Sequence, residues 1–121
     1  MTYILVGVAG AIGAISRYMI GLWLVSNNPF PLATLITNLF GCFLLAFLSA
    51  YFLKKVSLPT SFITAIQTGL IGSFTTFSTF SVETIQLFQN GEFLLSTLYV
   101  LTSLFGGLFM TKLGLYVGKE A

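Results

Sequence analysis

The chain has 121 residues, 56% of them hydrophobic and only 7% charged, where an ordinary soluble domain carries roughly 25% charged residues. A water-facing surface cannot be built from that stock, and a net charge of +2 is too small and too scattered to attract nucleic acid. Cys42, the single cysteine, excludes an internal disulfide and a cysteine zinc site, and in its apolar run it reads as a small buried thiol.

A helix that crosses a bilayer needs about 20 mostly apolar residues. In chain order, the stretches at about 3–25, 32–53, 62–88 and 93–117 qualify. The expected fold is therefore an all-α membrane protein, a single four-helix transmembrane domain over residues 1–121. Turn-forming or charged residues separate the spans: Ser26-Asn27-Asn28-Pro29-Phe30-Pro31, then Lys54-Lys55-Val56-Ser57-Leu58-Pro59, then Gln89-Asn90-Gly91-Glu92. The first span has no basic start and is interrupted by Arg17, so it is expected to be retained rather than removed as a signal peptide. With no stretch left for a soluble domain, the activity belongs inside the bilayer or at its faces, which excludes most enzyme classes. No repeat relates the two halves, so a pseudo-symmetric carrier within one chain is unsupported. Four helices enclose little space, and a conducting path calls for a second chain.

On the first span Gly10, Gly13, Ala14, Arg17 and Gly21 share one helical face, so a small-residue stripe carries the arginine. An arginine at a helix centre costs about 2.5 to 3.5 kcal/mol on insertion scales, so Arg17 must be paired or near water. It is either a packing or interfacial anchor or an attractor of anions at a vestibule. Thr34, Thr37, Asn38 and Gly41 form a similar stripe on the second span, where a mid-helix amide must find partners and is a functional candidate.

The third span sets glycines and a hydroxyl-rich, partly β-branched run, Gly69 to Ser81, in mid-membrane. Such a helix is prone to break and expose carbonyls that only buried protein, water or an ion can satisfy; the alternative is a helix whose hydroxyls bond back to its own carbonyls. Glu83 is either a pore-mouth residue or a helix-end charge. The fourth span carries Ser96, Tyr99, Thr102, Ser103, Gly106 and Gly107 at helical spacing. With no His, no Asp and only Glu83 inside a span, passive conduction fits better than proton-coupled exchange. A small multidrug exporter would want a carboxylate deep in the first helix, where this chain has Arg17. A noncatalytic assembly subunit would need no polar tracks. Lys54, Lys55 and Lys119 lie on the N-terminal side, with Lys112 near it and Arg17 toward the other, a bias that predicts an inside N terminus.

The run Gly72-Ser73-Phe74-Thr75-Thr76-Phe77-Ser78-Thr79-Phe80-Ser81-Val82-Glu83 resembles the signature of the Fluc (CrcB) fluoride channels. Gly10 to Tyr18 is similar to that family's glycine-rich first-helix motif, and Ala33 to Gly41 to its second-helix motif around an asparagine. Order, spacing and length agree across essentially the whole chain. Ala33 and Ala46 stand where glycine is common, and Thr37 where an aliphatic residue is common. The resemblance implies an antiparallel dual-topology dimer in the cell membrane, with the third of four transmembrane helices broken near mid-membrane. It also implies passive fluoride export through a pore of Asn38, Phe77, Phe80, Tyr99, Ser103 and Thr34. Arg17 and Glu83 would stand at a pore mouth or vestibule, and the Gly72 and Thr75 carbonyls would hold a structural sodium ion. A homodimer is preferred over a heterodimer with an oppositely oriented paralogue.

Overall fold

The hydrophobic stretches fold as α1 (Thr2–Trp23), α2 (Leu32–Lys54), a segmented third crossing, and α6 (Phe93–Glu120). The third crossing consists of α3 (Thr60–Thr64), a π-helical stretch (Ala65–Ile71), α4 (Gly72–Phe74) and α5 (Phe77–Gln89). The structure, a computed structural model, describes residues 1–25 and 28–121, so Ser26 and Asn27 of the predicted first connection lie outside the described residues. Among these, three continuous helices are long and apolar enough to cross a membrane: α1, most of α2, and α6. The third stretch falls outside that group because it is interrupted, its longest helix being the 13 residues of α5, and because Gln67, the glycines and the Ser/Thr run dilute its apolar character. Between α5 and α6 the chain turns at Gly91, whose φ of +80° is a conformation that suits glycine.

The helices associate as two parallel pairs, α1 with the third crossing and α2 with α6, while α1 and α2 touch little. At one end the Thr2 and Ser61 hydroxyls meet at 2.8 Å, and the Lys54 ammonium donates to the Lys119 carbonyl. The small-residue stripes explain the pairing. A Cβ on Gly13 would collide with the Leu70 carbonyl, and one on Gly69 would sit 2.6 Å from the Val6 carbonyl. On the other pair, Gly114 abuts the Phe43 carbonyl, and a Cβ on Gly118 would lie 2.6 Å from the Phe47 carbonyl. Lipid offers no hydrophobic drive between helices, so this backbone approach is what binds them. The Ala46 methyl is accommodated opposite Gly114, where an added Cβ would lie 3.0 Å from it. Gly21 has nothing within 4 Å of an added Cβ, so packing inside the subunit does not account for its place in the stripe.

Gly13→Ala is expected to destabilise the subunit. The substitution gains up to about 1 kcal/mol of helix propensity, but overpacking against a backbone carbonyl that cannot rotate aside costs about 1–3 kcal/mol. Thermal unfolding in detergent should show a lowered midpoint relative to Gly7→Ala, where the new methyl meets nothing within 4 Å. Equal midpoints would rule out the close approach.

Candidate functional site

The third crossing breaks at two threonines. Thr75 (φ −89°, ψ 161°) and Thr76 (φ −153°, ψ 120°) are extended, a conformation that suits β-branched side chains. Gly72, within the run expected to break, is helical at φ −60° and ψ −35°. Helix α5 then restarts with Thr76 as its N-cap, whose Oγ1 accepts from the Thr79 N–H at 3.2 Å.

Two side chains from other helices hold this break. The Asn38 amide donates from Nδ2 to the Thr76 carbonyl at 3.0 Å and accepts the Thr76 N–H on Oδ1 at 2.8 Å, pairing both backbone groups of one residue. The Arg17 Nε–H donates to the Ser73 carbonyl at 3.3 Å. In an unbroken α-helix the Thr76 N–H would close on the Gly72 carbonyl and the Thr79 N–H on the Thr75 carbonyl. Both donors are diverted, the first to Asn38 and the second to the Thr76 hydroxyl.

Beside the break runs a groove of about 490 Å³, lined by Asn38, Phe77, Phe80, Ser103, Gly72 and Thr75 together with Gly41, Cys42, Gln67 and other residues. Six of the residues expected to form the site thus share one surface. The Phe77 and Phe80 rings lie 5.8 Å apart, with Phe77 79% exposed. The Ser103 hydroxyl is buried and, among the described residues, has no hydrogen-bond partner. A buried hydroxyl in that condition is costly unless something else satisfies it.

Tyr99 and Thr34 are placed differently from the rest of the expected pore. Tyr99 is fully buried, its ring 5.0 Å from Phe80 and 5.7 Å from Phe30, and its hydroxyl donates to Glu83 Oε1 at 3.0 Å. Thr34 is buried too, and its carbonyl accepts from the Thr37 hydroxyl at 3.0 Å. Neither lines the main groove in the single subunit. Glu83 lines a smaller opening with Asn28, Phe30 and Asn90 near the α5–α6 turn. Arg17 lines a separate groove of about 350 Å³ between α1 and α2, with Tyr18, Thr34 and Thr37.

Two participants escaped the sequence. Gln67, inside the π-helical stretch, lines the main groove and donates from Nε2 to the Ser49 hydroxyl at 2.8 Å. An amide within an apolar span was its signal, the same signal that singled out Asn38. Thr76, the residue Asn38 holds, was only one of several hydroxyls in its run.

Helices crossing the cell membrane several times, with a largely apolar groove carrying a few amide and hydroxyl groups beside a discontinuous one, fit a small membrane channel rather than an enzyme. The family description "CrcB-like protein, Camphor Resistance (CrcB)" matches residues 4–115. The chain belongs to the CrcB family. It is 54% identical over 120 residues to "Fluoride-specific ion channel FluC 1" of Bacillus cereus (strain ATCC 10987 / NRS 248), covering 98% of this chain and 88% of the relative. A FluC 1 of Desulfitobacterium hafniense (strain Y51) is 56% identical over 108 residues, 89% of this chain and 95% of the relative. "Fluoride-specific ion channel FluC 2" of Listeria monocytogenes serotype 4b (strain F2365) is 51% identical over 114 residues, covering 94% and 88%.

Proposed function

We propose that the chain is a subunit of a fluoride-selective channel that lets fluoride leave the cytoplasm passively and so limits its toxicity. The observation that carries this is the groove at the break. It joins the Asn38 amide, the Ser103 hydroxyl and the Phe77 and Phe80 rings; among the described residues that hydroxyl has no partner and no lysine or arginine lines the groove. Fluoride is small and strongly hydrated, so its path must replace water with amide and hydroxyl donors and with the positive edges of aromatic rings. A fixed cation in that path would hold it too tightly, since conduction needs sites that are favourable but weak. Fluoride enters cells as the weak acid HF and dissociates inside. A negative interior then favours each exported charge by about 2.3 kcal/mol per 100 mV.

The functional unit is an antiparallel dimer, with a homodimer preferred. Lysines Lys54, Lys55 and Lys119 share the end where α2 and α6 finish, a bias toward one orientation that leaves an oppositely oriented relative as the alternative partner. A structural sodium ion fits the residues present at the break. The Gly72 and Thr75 carbonyls have lost their helical donors, and carbonyl oxygens suit a hard monovalent cation. Ser73 is outside that set because Arg17 occupies its carbonyl. When bound, the ion would supply a fixed positive charge at the break.

The test is fluoride release from liposomes that contain only this chain, read with a fluoride electrode after potassium is made permeant. Release with chloride retained is expected. No release from the chain alone, but release once an oppositely oriented relative is added, would replace the homodimer with a pair; no release in either case sinks the channel. Release and thermal stability unchanged after sodium is replaced by N-methylglucamine would remove the ion.

A further inference from the structure

The carbonyls around the break are not treated alike. Ser73 and Thr76 each receive a side-chain donor, from Arg17 and Asn38, while Gly72 and Thr75 are left without their helical ones. Arg17 reaches the Ser73 carbonyl from another helix, across the interface where Gly13 lies against the Leu70 carbonyl. The last turn of a helix presents carbonyls with partial negative charge, and an arginine there both donates and complements the dipole. The bond uses Nε, the nitrogen nearest the backbone, rather than the outer fork of the guanidinium.

Resting on the channel reading above, we propose that Arg17 is a positioning residue. It braces the end of α4 through the Ser73 carbonyl, so that the break keeps the geometry that presents Phe77 and the Gly72 and Thr75 carbonyls to the groove. It acts through that bond and not as a charge that draws anions in. The groove it lines between α1 and α2 is separate from the one that holds Asn38, Phe77 and Ser103. Its contribution is a shift in population toward the competent arrangement of the break.

The two roles respond oppositely to conservative changes. In Arg17→Gln the amide nitrogen stands the same number of bonds from Cα as Nε, which keeps a donor and removes the charge. In Arg17→Lys a methylene replaces Nε and the charge is kept. Arg17→Met removes both. The brace predicts that fluoride release by Arg17→Gln exceeds that of Arg17→Lys and Arg17→Met by up to about tenfold, the scale of one lost hydrogen bond between neutral groups. It further predicts the same dependence on ionic strength for the parent and Arg17→Gln, because no long-range attraction is being screened.

Amide hydrogen exchange across residues 74–80 is measured in the same four proteins. Faster exchange in the lysine and methionine variants than in the glutamine variant is the expected result. Release and protection by Arg17→Lys equal to or above those of Arg17→Gln would overturn the brace, and so would identical exchange in all four. If the parent chain released no fluoride, the channel reading would fail, while the exchange measurement would still decide whether Arg17 holds the break.

Discussion

Asn38→Asp is expected to reduce fluoride release by at least about a hundredfold, the effect of roughly 3 kcal/mol. The carboxylate is the same size as the amide and can still accept the Thr76 N–H, but its second oxygen would confront the Thr76 carbonyl where Nδ2 now donates at 3.0 Å. An unmade hydrogen bond at a partly buried carbonyl costs about 1–3 kcal/mol, and repulsion between the two oxygens adds to it. A negative charge would also stand on an anion's route. Release at the parental rate by folded Asn38→Asp protein would show that neither the clamp on Thr76 nor the neutral amide matters. Asn38→Ala separates the contributions, because it introduces no charge yet abandons both backbone groups.

Replacing Phe77 by isoleucine should lower fluoride release by about tenfold or more while costing stability no more than the about 0.5–1.5 kcal/mol of its single ring pair with Phe80 at 5.8 Å. The ring is 79% exposed on the groove. Isoleucine keeps apolar bulk and lacks the positive ring edge. Phe80→Ile should lower release comparably but is the less clean experiment. Phe80 packs 5.0 Å from Tyr99, and losing an aromatic pair removes about 0.5–1.5 kcal/mol. Thermal unfolding beside liposome flux separates the two effects. If both variants conduct like the parent, the aromatic lining has no part in permeation.

Much of the architecture is legible in the sequence because a bilayer imposes a length and an apolar character on every crossing. The stripes carrying Gly10 and Gly13 and carrying Gly106 and Gly107 read as helix packing, and they lie on the contacts between helices. The break was visible as a class of event but not as a position. Glycine drew attention to Gly72, yet Gly72 stays helical, with only the Gln67 carbonyl of its own crossing within 4 Å of an added Cβ; the chain departs from the helix at Thr75 and Thr76, and Asn38 holds it there. That partner lies on a different helix, so no local pattern announces it. The π-helical turn from Ala65 to Ile71 was hidden for a related reason, since Gln67 marks the segment as polar without announcing how its backbone winds. Tyr99 was grouped with Ser103 by helical spacing and by the family resemblance, but the hydroxyl of one is engaged by Glu83 while that of the other has no partner among the described residues.

The pairing of α2 with α6, and the scant contact between α1 and α2, bears on how the chain is made. The first two helices leave the ribosome together, yet they have little reason to hold each other in the bilayer. Gly114 and Gly118, which receive the backbone of α2, are synthesised only after the third crossing. A nascent chain that has inserted its first three crossings therefore carries an α2 whose packing face is still open to lipid or to other proteins. Completion of α6 closes that face. Truncation within α6 should consequently remove the partner of an element inserted before it, and a defect in α6 would be felt as α2 left unanchored.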